Sequence, residues 1–275
     1  MEALPNETMR YGVDDGVATV LFDRPESLNA MTNEFMDDLA AGIARADADP
    51  EVGVVVLTGS GRGFCSGADL GGFASDDAGD SPDESDDGAD GGAVTDGMDH
   101  HFNPAMRAVK NCRVPTIARV NGAAAGGGLG LALACDIAIA AESAFFVATF
   151  GPRLGIVPDL GSTWSLPMRL GSARAMGMAM LGQRVTAEQA AEWGLIWKTV
   201  ADDALDDAVA EAATTLKRTS GEAMQRIRSA IDSAATRSFS EQLDVERDHQ
   251  AVLIPMNMGE GASAFMAKRE PNFKN

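Results

Sequence analysis

Basic residues are scarce: 22 Lys and Arg stand against 41 Asp and Glu, a formal net charge of -19 over 275 residues. With no basic excess to neutralise phosphates, the chain is excluded as a general nucleic-acid binder. Cysteine and histidine are scarce as well. Cys65, Cys112 and Cys135 are an odd number without paired spacing, and with three histidines they make neither a disulfide framework nor a metal-ligand pattern. Cys112 and Cys135 read as small buried apolar residues. No apolar run approaches the roughly 20 residues of a membrane helix, and MEALPNETMR lacks the basic, apolar character of a signal region. The expectation is a soluble, cytoplasmic protein without a membrane partner.

What is present suffices for a core. An apolar fraction of 45% over this length suits a single compact enzyme-sized domain. The acids are unevenly spread: residues 74–99 hold ten of them and no Lys or Arg, and removing that stretch still leaves -9. Two readings follow, a hydrated acidic surface suited to high salt or one acidic loop on an ordinary protein; the residual -9 favours the first. The stretch itself, with Gly, Ser, Pro and Asp and no periodicity, is expected to be a flexible surface loop.

Four β-rich runs punctuate the first half: Val17 to Phe22, Val52 to Thr58, Thr116 to Val120 and Asp136 to Ala140. Between the first two, Phe35, Leu39 and Ile43 recur at helical spacing in Thr32 to Ala46. Strand, helix, strand in that order predicts parallel pairing in an α/β fold, and the continuous apolar run Val54 to Leu57 predicts a strand covered on both faces. The second half is helical. Thr186 and Gln189 resemble a capping box opening a helix Ala187 to Trp193, which Gly194 closes. Helical patterns follow over Leu205 to Leu216, Met224 to Ile231, Leu243 to Leu253 and Ala262 to Arg269. The expected organisation is a core over 1–200 and a helical region over 201–275 for subunit contacts and cleft closure.

Two glycine-rich segments follow β-rich runs, Gly59 to Leu70 and Asn121 to Gly130. Neither has the spacing of a phosphate-binding P-loop. Such segments permit close backbone approach and leave N–H groups free at a helix N-terminus, so two of them could hold one developing oxyanion. Judged on one segment alone, tight packing of small residues between helix and sheet is the better account.

The residues Asp23-Arg24-Pro25-Glu26-Ser27-Leu28-Asn29-Ala30, Gly63-Phe64-Cys65-Ser66-Gly67-Ala68-Asp69-Leu70, Asn121-Gly122-Ala123-Ala124-Ala125-Gly126-Gly127-Gly128, Cys135-Asp136 and Leu154-Gly155-Ile156-Val157-Pro158-Asp159 together resemble the crotonase superfamily, the enoyl-CoA hydratases and isomerases. The tail Ala264 to Arg269 also fits. The resemblance implies a crotonase-like spiral of ββα units with a C-terminal helical region, assembled as a homotrimer or dimer of trimers and acting on acyl-CoA. It implies no cofactor apart from the CoA of the substrate, and no metal. It makes the Ala68 and Gly127 N–H groups the oxyanion donors. Ser27, Leu28, Asn29 and Ala30, with Ser66, Gly67, Ala68, Asp69 and Leu70, would line the CoA groove. Phe265 and Lys268 match a tail segment that can contact CoA, although Lys268 also reads as a solvated residue near a helix end.

The two carboxylates of a family hydratase fall at Gly130 and Gly151, and no Asp or Glu occurs between Ser143 and Pro158. The first carboxylate beyond is Asp159, where some family isomerases carry a single acid/base. It is the expected proton shuttle, with Val157, Leu160 and Trp164 as apolar neighbours that raise its pKa; the competing role is an N-cap for a helix near Gly161. Asp136 and Glu142 read as structural, Asp69 as shaping a turn, His100 and His101 as exposed, and Cys65 as no nucleophile. Hydration of 2-enoyl-CoA and a non-catalytic acyl-CoA-binding role are the alternatives to double-bond isomerisation.

The acidic stretch follows the proposed donor loop and carries the same sign as CoA, so substrate affinity, activity and melting temperature should all rise with salt. Full stability and activity in low salt would remove the high-salt reading.

Overall fold

The computed structural model describes residues 1–71 and 91–273. Within them β1 (Glu2–Ala3), β2 (Met9–Asp14), β3 (Val17–Phe22), β4 (Val54–Gly59), β6 (Thr116–Val120), β8 (Ile137–Ala141) and β11 (Lys198–Val200) form a seven-stranded sheet in the order β1-β2-β3-β4-β6-β8-β11. A smaller sheet, ordered β10-β9-β7-β5, is made of β5 (Gly63–Cys65), β7 (Ala123–Ala125), β9 (Phe145–Val147) and β10 (Val185–Thr186). The pairs β4/β5, β6/β7 and β8/β9 each place one strand in the large sheet and the next in the small one before a helix follows. This is the repeated ββα unit of the expected spiral.

From β3 onward the large sheet is parallel, with Val17 beside Val54 and Phe22 beside Gly59, and β5, β7 and β9 are parallel in the small one. β4 is buried at every residue, as a strand covered on both faces must be. β3 instead alternates, with Ala18, Val20 and Phe22 fully buried and the residues between them half-buried.

The helices are α1 (Asn33–Ala48), α2 (Gly91–Gly97), α3 (Asn103–Lys110), α4 (Gly127–Ala134), α5 (Ser162–Leu181), α6 (Ala187–Glu192), α7 (Leu205–Lys217), α8 (Gly221–Ala234) and α9 (Phe239–Ala267). Thr32 caps α1 by accepting from Phe35 N at 3.2 Å, and Phe35, Leu39 and Ile43 are buried. Buried Asp38 on the same helix ties down the segment before β2, accepting from Asn6 N (2.9 Å), Thr8 N (3.0 Å) and Thr8 Oγ1 (2.7 Å). The capping box at Thr186 and Gln189 forms as expected.

Three expectations change. Residues 91–99 of the acidic stretch are helical: α2 runs through a π turn (Met98–Phe102) into α3. The buried face of α3, with Ala105, Met106 and Val109, anchors that helix, and His101 Nδ1 meets Asp37 Oδ1 of α1 at 2.7 Å. Residues 74–90 lie outside the described residues. The pattern over Leu243 to Leu253 and the first part of that over Ala262 to Arg269, up to Ala267, are parts of one helix, α9, which contains Pro255. Finally, position 201 is no packing boundary. α7 buries Leu205, Ala208, Val209 and Ala213 against β4, β6 and β8 and belongs to the core, whereas α8 buries no residue fully and α9 only Ala264.

Two ion pairs hold α8 to the core, Lys110 with Asp232 at 2.9 Å and the less exposed Arg228 with Asp136. Arg228 donates from Nε to Asp136 Oδ1 and from a terminal nitrogen to Oδ2, both at 2.6 Å, and also reaches the Cys112 (2.5 Å) and Val114 (3.2 Å) carbonyls. Asp136 in turn accepts from Thr116 N at 2.8 Å. Asp136 is thus structural, as its position between helix and strand indicated. Arg228→Ala leaves a partly buried carboxylate without its cation and should cost about 2–4 kcal/mol; a urea titration followed by circular dichroism measures the loss.

Candidate active site

The loop after β3 and the loop after β5 are joined along their length. Ser66 N donates to Leu28 O (3.0 Å), Met31 N to Gly67 O (2.8 Å) and Asp69 N to Met31 O (2.8 Å). The Asn29 side chain, fully buried, accepts from Arg24 N (3.0 Å) and donates to Ser60 O (3.0 Å) and Gly63 O (2.9 Å). Leu28 and Asn29 both take left-handed backbone angles to make this knot, a geometry Asn tolerates better than most residues. Arg24 reinforces it through Asp69 Oδ2 at 3.0 Å and the Ala30 carbonyl. The Asp69 carboxyl is held below the usual carboxylate range by the Gly71 N–H and by Arg24.

This lacing uses the N–H groups of Ser66 and Asp69 and leaves that of Ala68 without a partner among the described residues. Gly67, at φ +98°, then presses against the second glycine-rich segment: a Cβ on it would stand 3.2 Å from Gly127 N and 3.0 Å from Ala125 O. The two segments therefore meet backbone to backbone. Gly127 opens α4, where the first N–H groups have no partner within the helix, and its own donates to no described residue. Tight packing also operates in the same segment, since a Cβ on Gly128 would stand 2.2 Å from Cys65 O. One run of glycines thus serves both purposes.

The third part arrives with the chain before α5. Leu160, in a left-handed conformation at φ 48°, inserts its side chain beside α4: its Cδ1 lies 2.8 Å from where a Cβ on Gly127 would be. Asp159, the preceding residue, is thereby brought to the mouth of α4. Its side chain does not cap α5. Gly161 occupies the N-cap, no side chain caps the helix, and Ser162 N donates to the Asp159 main-chain carbonyl at 2.9 Å. Burial pushes the Asp159 carboxyl above the usual carboxylate range, with no cation to oppose it. Among the expected apolar neighbours only Leu160 supplies that burial; Val157 is 73% exposed and Trp164 48%.

The position of a hydratase's first carboxylate is closed as well as empty. A Cβ on Gly130 would lie 2.6 Å from Leu160 O and 3.0 Å from Ser162 Oγ, so no side chain fits there. At Gly151, in the π turn Phe150–Leu154, a Cβ would stand 3.1 Å from Ala179 O.

The remaining expected residues divide. Ser27, Leu28, Ser66 and Asp69 are half-buried, and Ala68 and Leu70 are exposed along the laced loops, where a ligand can reach them. Asn29 and Ala30 are buried, and the Asn29 side chain is consumed by the knot, so their side chains do not line a groove. Phe265 is exposed near the end of α9, and Lys268 is the C-cap of that helix. Beyond them Asn272 and Phe273 share a groove with Gly16 and Gly53 at the N-terminal ends of β3 and β4, whereas Ala68 and Gly127 follow the C-terminal ends of β5 and β7. Burial pushes the Cys65 thiol up to about 12, so it remains protonated. His100 is exposed, and His101 is half-buried against Asp37. Sequence reasoning named Leu160 only as an apolar neighbour of Asp159 and Arg24 only within a motif, because their packing partners lie about 30 and 45 residues away.

Two free backbone donors meeting at a helix N-terminus, with a half-buried carboxylate on the residue next to Leu160, make an arrangement that can serve enolate chemistry. The sequence profile of the enoyl-CoA hydratase/isomerase family matches residues 12–275. The chain belongs to this family. It is 42% identical over 262 residues to the 1,2-epoxyphenylacetyl-CoA isomerase of Escherichia coli K12, covering 95% of this chain and 96% of the relative. It is 39% identical over 267 residues to a probable enoyl-CoA hydratase of Rhodobacter capsulatus, covering 97% of each. Its structure is similar to the crystal structure of an enoyl-CoA hydratase from Polaromonas sp. JS666, with TM-score 0.87 and 29% identity over 97% of this chain and 99% of that one. As a member of the enoyl-CoA hydratase/isomerase family, it has an acyl-CoA thioester as its class of substrate.

Because Leu160 O closes the space at Gly130, even Gly130→Ala should force the Asp159 loop to shift and cost about 1–3 kcal/mol. Thermal melting compared with the parent protein checks this.

Proposed function

We propose that the protein shifts the double bond of an enoyl-CoA, with Asp159 as its single acid/base and the N–H groups of Ala68 and Gly127 holding the thioester oxygen. The observation that carries this reading is the pairing of a half-buried Asp159, next to the Leu160 that packs on α4, with the closed space at Gly130. A hydratase orients and deprotonates water between two carboxylates; an isomerase needs one group that takes a proton and returns it.

In the proposed reaction a 3-enoyl thioester lies with its carbonyl oxygen between the two donors. Asp159 removes the C2 proton, and the C–H electron pair moves into the carbonyl to give a dienolate, whose oxygen is stabilised by the N–H groups and the N-terminus of α4. The protonated Asp159 then gives the proton to C4 as the double bond forms between C2 and C3. Atoms and charge balance without water, metal or a cofactor beyond the CoA of the substrate. The apolar setting that raises the Asp159 pKa makes it a better base once ionised and a competent acid after the first step. The isomerase named in Escherichia coli supports the reading; the probable hydratases supply no second carboxylate for this chain.

Assembly as a homotrimer or dimer of trimers belongs to the same proposal. α8 and α9 carry exposed Ile227, Ile231, Phe239, Ile254 and Phe265, more apolar surface than a lone chain leaves bare without reason. Phe265 and Lys268, exposed at the end of α9, would contact the CoA of a neighbouring subunit in such an assembly. The soluble, cytoplasmic setting is proposed alongside; no described helix is long and apolar enough to cross a membrane.

Offered separately, 3-enoyl-CoA should be isomerised and 2-enoyl-CoA left unhydrated. Asp159→Asn should lower isomerisation roughly 100- to 10,000-fold. Because the working form of Asp159 is ionised and its pKa is raised, the rate should climb with pH through a midpoint above the ordinary carboxylate value of about 4. Fast hydration that survives Asp159→Asn would overturn the mechanism, and acyl-CoA binding without turnover of either isomer would favour the non-catalytic alternative.

A further inference from the structure

β5, β7 and β9 run parallel in the small sheet, so the loops leaving their C-terminal ends emerge in a row. The first carries the free N–H of Ala68 and the second that of Gly127. The third carries Thr149, two residues past the end of β9. Its Oγ1 lies 3.0 Å from the point where a Cβ on Gly126 would begin, and that point is 3.7 Å from Gly67 Cα. The hydroxyl thus faces the seam between Gly67 and Gly126, the contact that brings the two backbone donors together.

Thr149 is half-buried, and its hydroxyl has no hydrogen-bond partner among the described residues; only its main-chain carbonyl is used, accepting from Arg153 N at 3.3 Å. Val147, Ala148 and Phe150 around it are buried and apolar. A hydroxyl in such a setting gains by donating to a ligand, and most by donating to an anionic oxygen. The glycine at 126 matters twice, because any side chain there would fill the space between Oγ1 and the seam.

We infer that the Thr149 hydroxyl is a third donor to the thioester oxygen, acting with the N–H groups of Ala68 and Gly127 and favouring the enolate over the neutral thioester. The inference rests on the acyl-CoA reading of the site but not on which reaction follows. It assigns Thr149 a catalytic role, in contact with the substrate atom on which charge develops.

Thr149→Val keeps the shape and removes the hydroxyl, while Thr149→Ser keeps the hydroxyl. Acetoacetyl-CoA, which ionises to an enolate with its own absorbance band, and butyryl-CoA, which does not, are the probes. Thr149→Val should weaken binding of the acetoacetyl-CoA enolate roughly 10- to 100-fold and leave butyryl-CoA affinity within about twofold, while Thr149→Ser restores the enolate band. With 3-enoyl-CoA the same variant should lower kcat and hold KM. Equal enolate affinity in Thr149→Val and the parent, or equal weakening for both ligands, would overturn the inference. Failure of the parent protein to bind butyryl-CoA would instead overturn the acyl-CoA reading itself. Melting temperatures of both variants confirm that each is folded.

Discussion

The backbone contact of Gly67 with Gly126 and Gly127 is the constraint on which the site depends. Its closeness, 3.2 Å from Gly127 N to a Cβ that Gly67 does not have, leaves no space for a side chain between the two loops. Each loop reaches this contact by a different route. The β5 loop is laced to residues 28–31 and knotted by Asn29, while the β7 segment is set by α4 packing on β5. Because the donors are main-chain groups, their placement is as rigid as the sheet behind them. Rigid, preorganised dipoles need little rearrangement when charge appears on a bound oxygen.

The space at Gly130 is closed by how Leu160 packs, together with Ser162. Its left-handed backbone accompanies a side chain packed toward Gly127 and a carbonyl packed toward Gly130, so the residue next to Asp159 closes the space at Gly130. A branched residue in that conformation is disfavoured by roughly 1–2 kcal/mol, which the buried side chain offsets. Asp159 is left in a partly dry setting with no cation near it, where a carboxyl exchanges protons more readily than on the surface.

The acid excess divides by function. Asp38, Asp69 and Asp136 each satisfy backbone N–H groups or an arginine, and so belong to the folding of the chain. Most other acids are exposed. The basic residues are few, and several are committed: Arg24 to the donor loop, Arg228 to Asp136, and Arg169 to the carbonyls of Leu133, Cys135 and Leu195. Their scarcity leaves the surface negative while the interior stays paired.

Much of this was legible in the residues themselves. Apolar runs and helical spacing located β3, β6, α1 and the capping box of α6, because those elements follow local rules of period and cap. The glycine-rich segments and the missing acids at 130 and 151 pointed to enolate chemistry with one carboxylate. Local pattern did not show that residues 91–99 continue a helix anchored on α1, that α7 belongs to the core, or that α9 passes through Pro255. Nor could it separate Asn29, a buried knot, from Ser27 and Leu28 beside it. The sequence by itself determined which side chains are available: glycines where the two loops must approach, glycine at 130 and 151, and one acid at 159. Only the tertiary structure decided that the Gly67 loop meets the N-terminus of α4 and that Leu160 packs there, because parallel strands far apart in sequence end at the same edge.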